Sequence, residues 1–87
     1  MEKRVEQALK KRVEELGGVC WKWTSPGRAG VPDRVCLSPD GRVVFVELKS
    51  ETGHVSKIQQ AVIQKMKGMC HDVRVIDSVE TARAFEF

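Results

Sequence analysis

The chain has 87 residues, of which 15 are Lys or Arg and 12 are Asp or Glu, for a formal charge of +3. That length leaves room for one core and one domain, spanning 1–87, and the roughly 60–65% of unfolded surface that such a chain buries gives it marginal independent stability. The charge permits a polyanionic partner without demanding one. Cys20, Cys36 and Cys70 are odd in number, far apart and form no CxxC pair, which argues against a disulfide framework or a zinc site and for a reducing, cytoplasmic setting. The N-terminal segment is charged and amphipathic, without an apolar run long enough for a signal peptide or a membrane span, so no membrane partner is expected.

In chain order, Val5, Leu9, Val13 and Leu16 recur at helical spacing and predict a first helix over residues 2–16, stopped by Gly17-Gly18. Residues 19–24 predict a strand with Trp21 and Trp23 on one face and Cys20, Lys22 and Thr24 on the other. The glycine- and proline-rich stretch 25–32 predicts a loop. Strand two is expected over residues 33–37 and strand three over 42–49, joined by the turn Ser38-Pro39-Asp40-Gly41. Val43 to Val46 is apolar on both faces, as in a central strand covered by helices on each side. After the segment 50–54, Ser56 is placed to cap a second helix with Ile58, Val62, Met66 and Met69 facing the core. A fourth strand over 73–76 and a helix over 79–85, opened by Asp77-Ser78, complete an α-β-β-β-α-β-α order. The fold expected is α/β, a mixed four-stranded sheet flanked by helices.

The chemistry concentrates at Pro32-Asp33 and Glu47-Leu48-Lys49. Alternation along a strand projects Glu47 and Lys49 from one face while Leu48 turns into the core. Two carboxylates and an ammonium on one surface suit a hard divalent cation, Mg²⁺ with Mn²⁺ as substitute, and a phosphodiester. A carboxylate ending so apolar a run also occupies a costly position unless a cation or other partner meets it.

These residues carry a family resemblance. The glutamate-bearing first helix, the Gly-Gly stop, Ser25 to Arg34, Phe45-Val-Glu-Leu-Lys49 and the helix opening Ser56-Lys-Ile-Gln59 resemble the virus-type replication-repair nuclease (VRR-NUC) domain of the PD-(D/E)xK superfamily, over essentially the whole chain. The resemblance implies a restriction-endonuclease-like core and metal-dependent cleavage of DNA. It makes Asp33 and Glu47 metal ligands, with the backbone carbonyl of Leu48 as a further one. Lys49 then orients the attacking water or stabilises charge on the phosphate, and Gln59 matches a glutamine on the helix after the catalytic strand. Small free-standing members resemble dimeric resolvases, so branched duplex DNA such as four-way (Holliday) junctions, in phage or bacterial replication and repair, is the expected substrate. The superfamily also uses a first-helix glutamate. Glu2 and Glu6 share a helix face, and Glu6, three turns before the stop, is the better-held choice for a catalytic group that touches the metal indirectly; Glu14 and Glu15 read as solvated helix surface.

Lys22, Ser25, Arg28 and Arg34 are candidate DNA contacts, although Arg34 fits a pairing with a neighbouring carboxylate equally well. Asp40 also follows a proline but belongs to a turn, and His54 and His71 read as surface histidines outside the site. Trp21 and Trp23 favour core or interface packing over base stacking. With Met66, Met69, Phe85 and Phe87 they form an apolar surplus that a two-fold homodimer would bury. The competing class of function is a catalytically idle DNA-binding or assembly module that keeps the fold; the intact Asp33, Glu47 and Lys49 argue against it.

Overall fold

The computed structural model describes residues 3–50 and 52–87, and its element order is the one the sequence pattern predicts. Helix α1 (Lys3–Glu15) buries Val5, Leu9 and Val13 on one stripe. Its end is a Schellman motif: Gly18 N–H donates to the Val13 carbonyl and Gly17 N–H to that of Glu14, both at 3.0 Å, with Gly17 at φ +83°. A side chain at that φ would be strained, which explains the glycine.

Strands β1 (Val19–Lys22), β2 (Arg34–Leu37), β3 (Val43–Leu48) and β4 (Asp72–Ile76) lie side by side in that order. β1–β2 and β2–β3 are antiparallel. The β2–β3 hairpin closes through Gly41 N–H to the Ser38 carbonyl at 3.2 Å, with Gly41 at φ +92°. β3–β4 is parallel and needs a crossover, which α2 (Lys57–Gly68) supplies. The short α3 (Val79–Arg83) follows β4, capped by the Ser78 hydroxyl. Central β3 turns Val44, Val46 and Leu48 to the inner face, where they meet Leu9 and Val13 of α1 and Phe85 in one cluster. Among the described residues no helix is long and apolar enough to cross a membrane.

Three expectations shift. β1 ends at Lys22, two residues short of Thr24, and Trp23 N–H carries the β1–β2 register one rung further to the Asp33 carbonyl at 2.7 Å, which ties the loop to the site. The buried residues of α2 are Val62 and Ile63, whereas Ile58 and Met69 are 59% and 58% exposed. Its middle turn rests on the outer face of the sheet, against β4, and its two ends overhang. Phe85 is buried and packs edge-on against Phe87, centroids 5.1 Å apart, so this tail fills the core and leaves the apolar surplus to Trp21, Val43, Ile58, Met69 and Val75.

Candidate active site

At the C-terminal end of β3 the two faces of the sheet carry different chemistry. Register pairs Glu47 with Val75 and puts it on the outer face with Phe45, while Leu48 sits in the inner core. Among the described residues Glu47 is the buried charged one, 1% exposed. Its Oε2 accepts from Gln59 Nε2 at 2.6 Å and lies 3.3 Å from Lys49 Nζ. Its Oε1 is buried without a hydrogen-bond partner. Burial, and after it the neighbouring charge of Asp33, push the Glu47 carboxyl above the usual carboxylate range, against the pull of Lys49.

Asp33 comes from the loop just before β2, and its Oδ2 accepts the Leu48 N–H at 2.9 Å. That bond pins the Asp33 carboxylate beside Glu47. Leu48 thus gives its side chain to the core and its backbone to the site. Lys49 N–H continues the parallel ladder to the Ile76 carbonyl at 3.0 Å, which anchors the base of the lysine whose ammonium meets Glu47.

Gln59 is held from two sides. It is the third residue of α2 and closes a capping box with Ser56: Gln59 N–H donates to Ser56 Oγ at 3.2 Å, and Ser56 N–H donates to Gln59 Oε1 at 3.0 Å. Because Oε1 is taken by the cap, the amide NH₂ must face Glu47, and Gln59 acts there as a donor. Gly30, at φ +88°, lets the preceding loop approach the same helix; a Cβ there would sit 2.7 Å from Ile58 Cγ2 and 3.0 Å from its carbonyl.

Asp33, Glu47, Leu48, Lys49 and Gln59 all line one open cavity of about 600 Å³ with Ser50, Gly53 and His54. His54 was expected outside the site, since no spacing links it to the acidic residues; the Ser50–Gly53 turn, closed by Gly53 N–H to the Ser50 carbonyl at 2.9 Å, returns the chain to the cavity.

Other candidates lie elsewhere. Glu6 is on the inner side, where its Oε2 takes a 2.8 Å ion pair from Arg34 Nη2, and that hydrogen bond draws the Glu6 carboxyl below its ordinary range. Arg34 is 12% exposed at its side chain and also donates to the Cys20 carbonyl at 3.3 Å. Its two terminal guanidinium nitrogens are thus committed internally, while Nε is buried without a hydrogen-bond partner; this is the carboxylate pairing that competed with DNA contact in the sequence. Glu6 and Arg34 do not line the cavity, and Glu2 falls outside the described residues. Lys22 and Arg28 are exposed and Ser25 half-buried near the same sheet end. Asp40 stays in its exposed turn, bonded to Ser38 and paired with Arg42.

The model of the VRR-NUC domain family matches residues 1–80. The chain belongs to the VRR-NUC family. A protein named "Putative nuclease p44", from Acyrthosiphon pisum secondary endosymbiont phage 1, is 36% identical over 77 residues, covering 88% of this chain and 83% of its own. A solved structure described as a VRR_NUC domain superposes with a TM-score of 0.89 at 31% identity, covering 95% of this chain and 90% of that one. The VRR-NUC assignment places the four-stranded mixed sheet and its helices in the PD-(D/E)xK nuclease architecture.

Proposed function

We propose that this VRR-NUC domain is a divalent-metal-dependent endonuclease that cuts branched DNA, four-way junctions included, in phage or bacterial replication and repair. The observation that carries the reading is the buried Glu47 with one orphaned oxygen beside a second carboxylate. A buried acceptor without a partner costs about 1–3 kcal/mol, more when charged, and a divalent cation relieves both the orphan and the repulsion. The residues therefore fit a Mg²⁺ or Mn²⁺ site held by Asp33, Glu47 and the Leu48 carbonyl, hard oxygens that leave positions for water and phosphate. Once bound, such an ion supplies Lewis acidity toward a phosphate oxygen and lowers the pKa of water.

The chain's own groups do the remaining work. Lys49, 22% exposed at its side chain, reaches the cavity with a positive charge that either orients the attacking water or stabilises the charge growing on the phosphoryl oxygens. Gln59 fixes the rotamer of Glu47 through a donor that cannot turn away without breaking the cap. Asp33 is steadied by a backbone N–H of the central strand. A two-fold dimer would present two such sites to the two strands of a branch point, with the exposed Trp21 and Val43 as apolar surface for the second copy.

The test is cleavage of linear, flapped and four-way-junction DNA in Mg²⁺, Mn²⁺ and EDTA, with light scattering alongside. Metal-dependent incision, fastest on branched substrates, by a two-chain species is expected. Binding without cleavage in any metal would establish the idle-module alternative, and a single-chain mass with and without a junction would remove the dimer.

A further inference from the structure

An apolar groove of about 370 Å³ opens on the outer face of the sheet, next to the catalytic cavity on the same strand. Its floor is the tilted pair Trp23–Phe45, centroids 5.3 Å apart, with His71 edge-on to Phe45 at 5.9 Å. Met66 and Met69 of the overhanging end of α2 form one wall, and Met69 is 58% exposed. Arg28 and Lys65 stand at the rim, and among the described residues no carboxylate lines the groove. Elsewhere Arg12, Arg34, Arg42 and Arg74 all pair with carboxylates of the chain. Arg28 and Lys65 form no salt bridge among the described residues.

We propose that this groove takes an unpaired base of the substrate strand, next to the phosphate held at Glu47 and Lys49. The inference rests on the nuclease reading and adds to it the feature the enzyme selects, an unstacked nucleotide beside the cut. Flat aromatic and thioether surface accepts any base face, and unpaired cations at the rim complement the flanking phosphates. Phe45 and Glu47 are two residues apart on one face of β3, about 6.6 Å by strand geometry. That short span puts the groove within reach of a nucleotide adjoining the scissile phosphate, and a base lays its face on an aromatic floor only where no neighbouring base covers it. A base stacked on both sides within a paired arm offers no such face.

The test is anisotropy of labelled DNA in EDTA, where nothing is cut, with short oligothymidylate and a blunt hairpin duplex as probes. Wild type is expected to bind oligothymidylate, and a duplex carrying a flap, about tenfold more tightly than the blunt hairpin. Trp23→Leu and Met69→Glu are expected to abolish most of that preference; Met69→Glu replaces an exposed side chain and keeps the fold even if the tryptophan variant does not. Equal affinity of wild type for paired and unpaired probes, or a preference unchanged in Met69→Glu, would overturn the proposal. So would a Met69→Glu protein that turns from two chains to one in light scattering while keeping the preference, since the groove would then be a contact between copies. Cleavage in Mg²⁺ separates the two readings: a wild type that cuts flapped and blunt duplexes at equal rates refutes the groove and leaves the nuclease standing, whereas a wild type that cuts nothing yet binds with the preference refutes the nuclease alone.

Discussion

Two carboxylates lie near the same end of the sheet on opposite faces, and the structure treats them in opposite ways. Glu6, on the inner side, has its charge met by Arg34 at 2.8 Å and its carboxyl drawn below the ordinary range. Glu47, on the outer side, shares Lys49 and Gln59, faces Asp33, keeps one oxygen unpartnered and is pushed above that range. An acid whose counter-charge is built into the chain supports the fold. An acid left short of positive charge in a buried place is relieved by a proton or by a further cation, and the proposed metal site is the second of these. Under the proposed reading the contrast makes Glu6 a support of the fold and Glu47 a metal ligand, where a sequence motif treats both as acidic site residues.

The comparison breaks most sharply at the outer face. Asp33→Asn and Glu47→Gln are each expected to lower Mg²⁺-dependent cleavage by about a thousandfold or more while retaining DNA binding, because shape is kept and the anionic charge is lost; gel assays of cleavage and binding on one junction substrate check both parts. Either variant cutting at near wild-type rate would dissolve the site. Lys49→Ala is expected to lose about 10²–10³-fold in rate and still take up Mn²⁺, measured by titration; loss of metal together with activity would make the lysine structural.

A smaller effect is expected from Ser56→Ala, which removes the hydroxyl of the capping box at about 1 kcal/mol and loosens the amide of Gln59. Cleavage falls by about tenfold and Ser56→Thr restores it; an undiminished rate in the alanine variant would show that Glu47 is held without the cap.

Glu6→Gln sharpens the other side. Because the folded Glu6 pKa is lowered, its ion pair stabilises the protein above the unfolded glutamate pKa, and that contribution disappears as pH falls through the lower folded value. The variant is therefore expected to melt earlier than wild type at neutral pH, by about 1–3 kcal/mol of stability, with the gap closing in acid and the cleavage rate per folded molecule retained. A full loss of activity in a stably folded Glu6→Gln would return Glu6 to the catalytic group.

Much of this was legible in the sequence for a simple reason: strand alternation acts between neighbours. Glu47, Leu48 and Lys49 declare their faces by period two alone, and Gly17 and Gly41 declare their turns. The α1 stripe of Val5, Leu9 and Val13 is equally local. What was not legible depends on contacts between distant segments. Arg34 read as a DNA contact or an ion-pair partner with equal weight until the fold put Glu6 against it. His54 had no local partner to mark it, and only the turn at Ser50–Gly53 returns it to the cavity. Of the expected α2 stripe Ile58, Val62, Met66 and Met69, Val62 is buried, now with Ile63, while Ile58 and Met69 are exposed, because only the middle turn meets the sheet. Phe85 and Phe87 looked like spare apolar surface because nothing local shows that the chain end folds back onto the core.

The proposed function turns on the Asp33–Glu47 cluster binding a divalent cation in addition to its Lys49 partner. Thermal unfolding with and without Mn²⁺, for wild type and Glu47→Gln side by side, tests it most directly, since an ion bound only by the folded state stabilises it by about 2.7 kcal/mol at a hundredfold excess over its Kd. The account predicts a midpoint several degrees higher for wild type in Mn²⁺ and no shift for Glu47→Gln. Equal shifts in both proteins, or none in wild type at saturating metal, would contradict it.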